Sequence, residues 1–383
     1  MTTVPKILNA DLAQIQKLRE LVKDELTPYY DTDFNLLRWL KGHNYNFDEI
    51  VPKLKNHLVL RKSLLQLDSL ADKPRNHPVH EFWKAGLTTS AGKTDNVLVN
   101  VEQTGANDYW GMLHTFPLNE IMKARIYDLE SMLRAVMEAE RKTGEQTSVM
   151  YVMDLTGLKY DKNLVTLLTG ALASISAFMT EHYVELVHNF VILAAPSFIS
   201  MIWSIAKPLL PERTKNKVKI LGSNWRKEIL DIAVPEALPS YWNEPDKETI
   251  FHANIERAVP VDQSRYYKAG PLQNAATLTI PAGNSGFVEI VAEKSQIVSW
   301  TFTTDGHFAY GVYFSEDPKE HDTSKMLLIY PRFNKVPGPT FVPIKDYMQC
   351  DRTGVYKFWF SNEHAWFHTL VIKHKIEVNN ATQ

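Results

Sequence analysis

The sequence has little cysteine and no excess of charge of either sign. Its 383 residues contain one cysteine, Cys350, which excludes an intramolecular disulfide and a zinc cluster built from several cysteines. The 42 basic and 44 acidic side chains give a formal net charge of −2, so no overall field attracts nucleic acid. The first residues, MTTVPKILNADLAQ, lack an apolar signal core and a glycine at position 2. These absences predict a cytosolic protein that does not bind nucleic acid.

Motifs of common catalytic sites are also missing. The stretch GLTTSAGKT at Gly86–Thr94 resembles a phosphate-binding loop, but five residues separate its glycines where that loop has four. We expect a flexible surface loop there. The sequence has no Gly-x-Ser-x-Gly string, and its 13 histidines lack metal-ligand spacing. Asp154 lies at the end of a predicted strand and is better suited to capping the loop to Gly157 than to acid catalysis. We therefore expect no catalytic residue, metal or cofactor.

A long uncharged stretch, Phe190–Ala206, falls short of a membrane span. Pro196 and three serines interrupt it, and it barely reaches the minimum of about 17 residues. We interpret Phe190–Ala195 as a strand buried on both faces and Ser197–Leu210 as a helix that is apolar on nearly every side. Such a helix is either the central helix of a large α/β core or a movable lid over a cavity that holds an apolar ligand.

Helical apolar spacing dominates the first 74 residues, and strands alternate with helices from 75 to 245. That alternation is typical of a mostly parallel sheet with crossover helices. The predicted strands are Asn96–Glu102, Ser148–Leu155, Phe190–Ala195 and Val218–Leu221, the predicted helices include Pro117–Thr143 and one through Leu164–Ile175, and a basic turn is expected at 213–217.

The pattern changes twice after residue 245. Residues 246–275 show little periodicity and are interpreted as a linker or a wrapping segment. In 276–383, six or seven short strands separated by turns predict an antiparallel β-sandwich. Its aromatic side chains are interpreted as core or edge-packing residues rather than as a binding face: Trp300, Phe302, Phe308, Tyr310, Phe314, Trp359, Trp366 and Phe367.

Ordered strings carry a resemblance to a known family. They are FNLLRWLKGHNYNFDE, VMYVMDLTGL, AAPSFISMIWSIAKPLLPERTKNKVKILG and LPSYW. Together they resemble the CRAL-TRIO family of lipid-binding and lipid-transfer proteins. The later string GVYKFWFSNEHAWFHTLVIKHKIEV resembles the end of a GOLD domain, and the pair is similar to the supernatant protein factor, or tocopherol-associated, branch.

The resemblance implies a multidomain fold. It consists of an N-terminal helical lobe (1–74), an α/β lipid-binding domain with a mostly parallel sheet and a lid helix (75–245), a linker (246–275) and an all-β GOLD-like sandwich (276–383).

The resemblance also implies the residues that contact lipid. In members that bind phosphatidylinositol, the residues at the head group match Arg61, Lys62, Glu185 and Lys217. The residues expected to line the cavity and form the gate are Tyr151, Met153, Phe198, Ile202, Trp203, Ile205, Ala206 and Leu209. The chain departs from the family at Val184, where the family has proline, and at residues 241–243, which replace a Gly-Gly turn.

The four head-group residues suit an inositol phosphate, because a phosphodiester and a ring of hydroxyls require cations and a carboxylate that accepts hydrogen bonds. They are also compatible with ordinary surface charges. A neutral lipid such as a tocopherol leaves them a structural role only.

The predicted function is that of a soluble carrier that encloses one lipid, either phosphatidylinositol or an isoprenoid, and exchanges it at membranes. The alternative is a lipid-sensing adaptor in trafficking or signalling whose C-terminal domain recruits protein partners. Both place the protein in the cytoplasm and transiently on membranes, with the Golgi as one candidate, and neither requires an enzyme activity or a cofactor other than the bound lipid.

Overall fold

A computed structural model of the chain describes residues 6–207, 212–245, 248 and 250–380, with the backbone only at 205, 206, 213 and 214. Three parts follow one another: a group of helices, a five-stranded sheet with helices, and two four-stranded sheets. The predicted succession of helical, α/β and all-β parts is confirmed.

The N-terminal helices pack around a buried apolar centre. Thr32 caps the second helix, because its side chain accepts a hydrogen bond of 3.1 Å from the Asn35 amide. Leu18, Trp39 and Leu54 are buried between these helices. The helices are α1 (Asn9–Val22), α2 (Asp33–Gly42), α3 (Phe47–Arg61) and α4 (Leu67–Leu70).

The central sheet is mixed and has the order β1-β2-β3-β4-β5. Its strands are β1 (Leu87–Ser90), β2 (Val97–Glu102), β3 (Ser148–Asp154), β4 (Val187–Leu193) and β5 (Val218–Ile220). Strands β2 to β5 are parallel, and β1 is antiparallel to β2. The expectation of a loop at 86–94 is wrong in part, because residues 87–90 pair with β2 and form the edge of the sheet.

The helices of the sheet region differ from expectation at two points. They are α5 (Tyr109–Thr115), α6 (Leu118–Thr143), α7 (Lys162–Thr169), α8 (Ala171–His182), α9 (Ser197–Ala206), α10 (Glu212–Lys217) and α11 (Trp225–Glu228). The single helix expected through 164–175 is two helices divided at Gly170, which has φ −107° and ψ −105°. The basic turn is helical and forms α10.

One segment in the described part of the chain, Lys162–His182, is long and apolar enough to cross a membrane by length and composition. Core helices of soluble proteins meet the same two criteria, so this property alone assigns no span. In its most apolar window, 33% of the residues are buried within the protein.

The two faces of the sheet are covered differently. Val191 and Leu193 lie on a fully buried face, together with Trp242 and Phe251 from the segments that follow the sheet. Phe190 and Ile192, on the opposite face of β4, are only half-buried. The expectation that this strand is buried on both faces is therefore wrong for the face turned towards α8 and α9. Because Phe251 and Ile255 are buried, part of the unpatterned segment wraps around this region.

The C-terminal part is a sandwich of two antiparallel sheets with the orders β10-β9-β12-β7 and β11-β8-β13-β6. Its strands are β6 (Ala276–Ile280), β7 (Ser285–Ala292), β8 (Ile297–Thr304), β9 (Phe308–Ser315), β10 (Leu327–Val336), β11 (Ile344–Gln349), β12 (Gly354–Ser361) and β13 (Leu370–Asn379). The strand missed by the sequence analysis is β11, whose sequence IKDYMQ carries two charges within six residues.

The aromatic side chains of the sandwich divide into two groups. Trp300, Phe302, Phe308, Tyr310 and Phe314 are buried between the sheets, as expected, and Trp359 is buried on the outer face of its sheet, in a cluster that Val59 of α3 packs against. The expectation is wrong for Trp366 and Phe367, which are 87% and 93% exposed. They lie in the loop between β12 and β13, beyond the reach of either sheet.

The sandwich packs directly on α3, α6 and α8. Lys123 on α6 forms an ion pair with Asp346 on β11, and Asn119 Nδ2 donates to the Lys345 carbonyl at 3.1 Å. On α8, Glu181 accepts a hydrogen bond of 3.1 Å from Asn334. Helix α8, which lies over the open face of the central sheet, is therefore also in contact with the C-terminal part.

Candidate functional site

A cavity of about 530 Å³ lies between the central sheet and α9; we call it the main cavity. Its floor is a row of three apolar side chains, Met153, Ile192 and Ile220, on neighbouring strands. The register pairs Met153 with Ile192 and Ile192 with Ile220, so all three project from the same face of the sheet. Met153, for which the resemblance implies a position in the lipid cavity, lies in this floor.

Helix α9 forms the roof of the main cavity. Ile199, Ile202 and Trp203 line it, and their spacing of three and four residues places them on one face of the helix. Met201, on another side of the helix, is 53% exposed. Helix α9 is thus apolar both towards the cavity and towards solvent, whereas a core helix would bury both sides.

The remaining wall comes from residues that sequence reasoning did not assign to the site. Trp110 on α5 lines the main cavity, as do Leu164, Leu167 and Leu168 on α7. The apolar spacing of Leu164, Leu167 and Leu168 predicted an amphipathic helix. The signal that could have assigned them to a site is that α7 is more apolar than its burial requires, since Leu168 is 41% exposed.

A second cavity of about 490 Å³ contains two of the predicted head-group residues. Lys217 Nζ donates hydrogen bonds of 2.8 Å to Glu185 Oε1 and of 2.8 Å to the Val187 carbonyl oxygen. Both charged side chains line the cavity and are partly exposed, at 24% for Glu185 and 22% for Lys217. The rest of the lining is largely apolar and includes Met179 and Phe190.

The two cavities lie along the same pair of elements. Ile192 lines the main cavity and Phe190 the second one, and residues two apart on a strand project from the same face. On α8, Leu172 lines the main cavity and Met179 the second, seven residues or about two turns away. The cavities therefore lie next to each other along β4 and α8, and we call the two together the trough; it is largely apolar under α9 and carries Glu49, Glu185 and Lys217 in the second cavity.

Arg61 and Lys62 do not join this cluster. Arg61 has a fully buried side chain and binds Glu130 through two hydrogen bonds of 3.0 Å and Asp68 through one of 2.6 Å. Burial alone would lower the pKa of Arg61, but the charge and hydrogen bonds of Glu130, together with the charges of Tyr30 and Asp68, outweigh it and raise that pKa above its usual value. Lys62 is exposed, with Nζ 3.5 Å from the Asp24 carbonyl oxygen. The structure thus brings together Glu185 and Lys217 only.

The partner of Arg61, Glu130, could have been found from the sequence, because its carboxylate lies within the apolar stripe of α6. Glu130 stands beside Leu129 and three residues before Leu133 on α6, and it is 1% exposed. A buried carboxylate requires a cation or several donors, so its position in the stripe predicts a buried partner. Tyr183 also donates to Glu130, at 2.8 Å.

The other predicted lining residues have separate placements. Tyr151 is buried, and its hydroxyl donates to Glu102 at 2.8 Å and accepts from Arg125 at 2.6 Å, so it belongs to a polar network on the same face of the sheet as Met153 and Phe190. Burial raises the pKa of Tyr151 well above its usual value. Phe198 contacts the ring of Tyr160, with centroids 5.4 Å apart. Leu209 and the side chains of Ile205 and Ala206 lie outside the described residues.

The residues considered for catalysis have structural roles. Asp154 accepts hydrogen bonds from the Thr156 amide at 2.9 Å and from Trp242 Nε1 at 2.8 Å, which agrees with the expected cap. Over the described ranges, no group of three or more His, Cys, Asp or Glu side chains is arranged to hold a metal ion. The chemistry that the trough offers is the burial of apolar surface beside the ion pair of Lys217 and Glu185, with His43 and Glu49 also in the lining.

Family profiles match three successive parts of the chain. Residues 97–243 match the CRAL/TRIO domain, residues 8–70 match a domain of unknown function, DUF8435, and residues 267–383 match the F28H7_8_C-like C-terminal domain.

Several curated proteins are similar over much of the chain. CRAL-TRIO domain-containing protein F28H7.8 of Caenorhabditis elegans is 26% identical over 94% of this chain and 88% of its own length. Protein ctg-1 of the same organism is 20% identical over 95% of this chain and 96% of its own length. Phosphatidylinositol/phosphatidylcholine transfer protein SFH14 of Arabidopsis thaliana is 23% identical over 64% of this chain and 47% of its own.

Among solved structures, the crystal structure of Sfh5 is 16% identical and covers 56% of this chain and 81% of its own, with a TM-score of 0.45. The profile match coincides with the sheet and helices that build the trough. Residues 97–243 are therefore similar to a CRAL/TRIO domain, and they lie between an N-terminal helical part and a C-terminal all-β part.

Proposed function

We propose that the protein is a lipid carrier that encloses one hydrophobic molecule in the trough and exchanges it at membranes under the control of α9. The observation that carries the proposal is the apolar row of Met153, Ile192 and Ile220 under the apolar face of α9. Homologues with a CRAL/TRIO domain bind and transfer lipids, and one relative is named for phosphatidylinositol and phosphatidylcholine transfer.

The cargo that we propose is a lipid with its tail in the main cavity and its polar group beside Glu185 and Lys217. Phosphatidylinositol fits this arrangement, because the ammonium group can bind a phosphate oxygen and the carboxylate can accept from the inositol hydroxyls. A tocopherol or another isoprenoid uses the apolar part alone. Both cargoes are compatible with the lining residues.

Gating by α9 follows from the energetics of lipid burial. Each methylene that leaves a bilayer loses about 0.8 kcal/mol of favourable burial, so a carrier must replace the bilayer by an equally apolar interior. A helix that is apolar on both sides can line the cavity when closed and contact acyl chains when open. The membrane then selects between two packings of one element.

The second candidate function is a lipid-sensing adaptor. It is favoured by the contacts of the sandwich with α8, the helix that also lines both cavities. We propose that the sandwich is GOLD-like. As part of an adaptor, it binds a protein partner only in one state of the trough, either with or without bound lipid. We propose a cytoplasmic protein without catalytic activity or cofactor in both cases, with domain limits at 1–74, 75–245 and 276–383.

Extraction of the purified protein with organic solvent, followed by mass spectrometry, tests the cargo. We expect about one lipid for each protein chain. A transfer assay between labelled donor and unlabelled acceptor vesicles separates the two functions, since a carrier moves many lipids per molecule and an adaptor retains its own. Protein without extractable lipid and without transfer in the presence of added phosphatidylinositol or tocopherol contradicts the proposal.

A further inference from the structure

The loop between β12 and β13 holds two adjacent aromatic side chains in solvent. Trp366 is 87% exposed and Phe367 93% exposed, although most aromatic side chains of the sandwich are buried. Each such side chain presents about 150–250 Å² of mostly apolar surface. Single exposed apolar residues are common, but two neighbouring rings at one loop tip indicate an apolar partner outside the chain.

The loop is held in this conformation by its base. Asn362 is 3% exposed, and its Nδ2 donates to the carbonyl oxygens of Ile280 at 3.1 Å and His368 at 2.8 Å. The backbone of Asn362 also bonds to Gly283 and Asn284 in the neighbouring turn. Because both ends of the loop are tied to the sandwich, the exposure of the two rings is a fixed feature and not the result of fraying.

The loop lies at the end of the sandwich that faces the lipid-binding domain. A groove of about 870 Å³ is lined on one side by Trp366 and Phe367 and on the other by Thr169 and Gly170, where α7 meets α8. The packing there is close, since a Cβ atom added at Gly170 would lie 3.3 Å from Pro337 Cβ. Helix α7 thus separates the main cavity from the groove beneath the loop.

The surface between α9 and the loop carries further exposed apolar side chains. Tyr160, Val165, Leu168 and Met201 are between 41% and 57% exposed. Tyr160 contacts Phe198 on α9, and Val165 lines a further cavity that shares Thr169, Gly170 and Pro337 with the groove. Exposed apolar side chains therefore lie on α9, on α7 and in the loop at Trp366, and α7 also exposes Thr166 and Thr169.

A bilayer fits this surface better than a folded partner does. A stable protein interface buries about 1,200–2,000 Å² and needs a complementary shape, whereas two rings at a loop tip supply only a few hundred. The headgroup region of a bilayer accepts aromatic side chains without a complementary surface, and tryptophan is enriched there. The loop has no cluster of cations, so the chemistry favours a zwitterionic phospholipid surface over an anionic one.

We infer that the loop Asn362–His368 is a membrane contact of the C-terminal part, which inserts Trp366 and Phe367 into the phospholipid headgroup region and holds α9 and the main cavity against the bilayer. The role of this contact in lipid exchange rests on the proposed carrier function. The membrane contact itself can be measured without any bound lipid.

The test compares full-length wild-type protein with the variant Trp366→Ser/Phe367→Ser in sedimentation with phosphatidylcholine vesicles. We expect the double variant to bind at least about tenfold more weakly, because each ring loses its burial in the interface. Matched controls are Val291→Ser and Tyr347→Ser, which are 73% and 67% exposed on strands of the same sandwich and should bind like the wild type.

Quenching by brominated phosphatidylcholine gives a second readout. Trp366→Phe should retain binding and lose part of the vesicle-dependent quenching of tryptophan emission, because Trp366 is the residue placed in the bilayer. Vesicle binding of the double variant equal to that of the wild type overturns the inference, and so does quenching that Trp366→Phe leaves unchanged.

The lipid content of the same proteins separates this inference from the carrier proposal. The double variant should contain as much extractable lipid as the wild type, because neither ring lines the trough. If wild-type protein contains and transfers no lipid but the double variant still loses vesicle binding, the carrier proposal fails and the membrane contact stands.

Discussion

Lys217 Nζ and Glu185 Oε1 lie 2.8 Å apart at the charged part of the trough, although 32 positions separate the two residues in the chain. Lys217 comes from the end of α10, and Glu185 from the turn before β4, where it has a φ of 54°. The Val187 carbonyl oxygen accepts a further hydrogen bond from the same ammonium group. The ion pair therefore orients a cation towards a largely apolar cavity.

Lys217→Ala should weaken the binding of phosphatidylinositol by about ten- to a hundredfold, because a hydrogen bond to a charged group contributes about 1.5–3 kcal/mol. Binding of a tocopherol should remain within about twofold. Titration of purified protein with fluorescent analogues of both lipids measures the difference. Lys219→Ala is the matched control, since this lysine is exposed on β5. An equal loss of both lipids contradicts a head-group role.

Ile202→Asp should remove the lipid from the purified protein. Its side chain lines the main cavity, and a carboxylate there is costly to bury without a partner. Mass spectrometry of extracted lipid measures the effect, and we expect at least a tenfold decrease. Ser204→Asp introduces the same charge on the exposed side of the same helix and should retain the lipid. Full lipid content in Ile202→Asp contradicts the placement of cargo beneath α9.

Arg61→Met should lower the free energy of unfolding by about 3–5 kcal/mol, because it leaves the carboxylate of Glu130 buried without its cation. Arg134→Met is the matched control. Arg134 forms an ion pair with Asp72 on the surface, with side chains 23% and 67% exposed, and its loss should cost about 1 kcal/mol or less. Urea unfolding followed by circular dichroism measures both. Similar losses for the two variants contradict the structural role of Arg61.

The stability of the protein should fall with pH below about 6.5, in part through His57 and His182. Their Nδ1 atoms lie 3.4 Å apart in the core, and burial lowers the pKa of His182 to about 3 and that of His57 well below its usual value. Between pH 6.5 and 3 the unfolded His182 binds a proton and the folded one does not. The contribution of each neutral histidine to the free energy of unfolding is therefore complete above pH 6.5. It is lost as the pH falls, by up to about 1.4 kcal/mol per pH unit for each histidine.

His182→Gln isolates this contribution, because glutamine fills similar space without titrating. Urea unfolding at pH 7 and pH 5 should give a smaller decrease in stability for the variant than for the wild type. The carboxylates titrate in the wild type and in the variant alike. The difference between the two proteins in their loss of unfolding free energy from pH 7 to pH 5 is therefore due to His182. Equal decreases contradict the burial of a neutral His182.

Much of the fold could be predicted because its signals are local. The alternation of strands and helices predicted the central sheet, and the row of Met153, Ile192 and Ile220 lies on strands that apolar patterns marked correctly. The apolar character of α9 indicated either a core helix or a lid, and local sequence could not decide between them. The half-burial of Ile202 and Trp203 beside a cavity favours the lid.

The candidate site was predicted less completely, because its members depend on contacts between distant residues. Arg61 and Lys62 are adjacent in sequence and were assigned together, yet one is buried against Glu130 and the other is exposed. Trp366 and Phe367 have the composition of core residues and lie at a loop tip. Nothing in the residue types distinguishes these outcomes.

The sequence by itself determined the order of helical, α/β and all-β parts, because a 3.6-residue or two-residue period of apolar side chains is a property of neighbouring positions. Only the tertiary structure decided which charge is buried, where the trough runs and which aromatic rings meet solvent. Those properties depend on which helices and strands, distant in the sequence, pack against each other. The same charged or aromatic side chain stabilises the fold in one such contact and destabilises it in another.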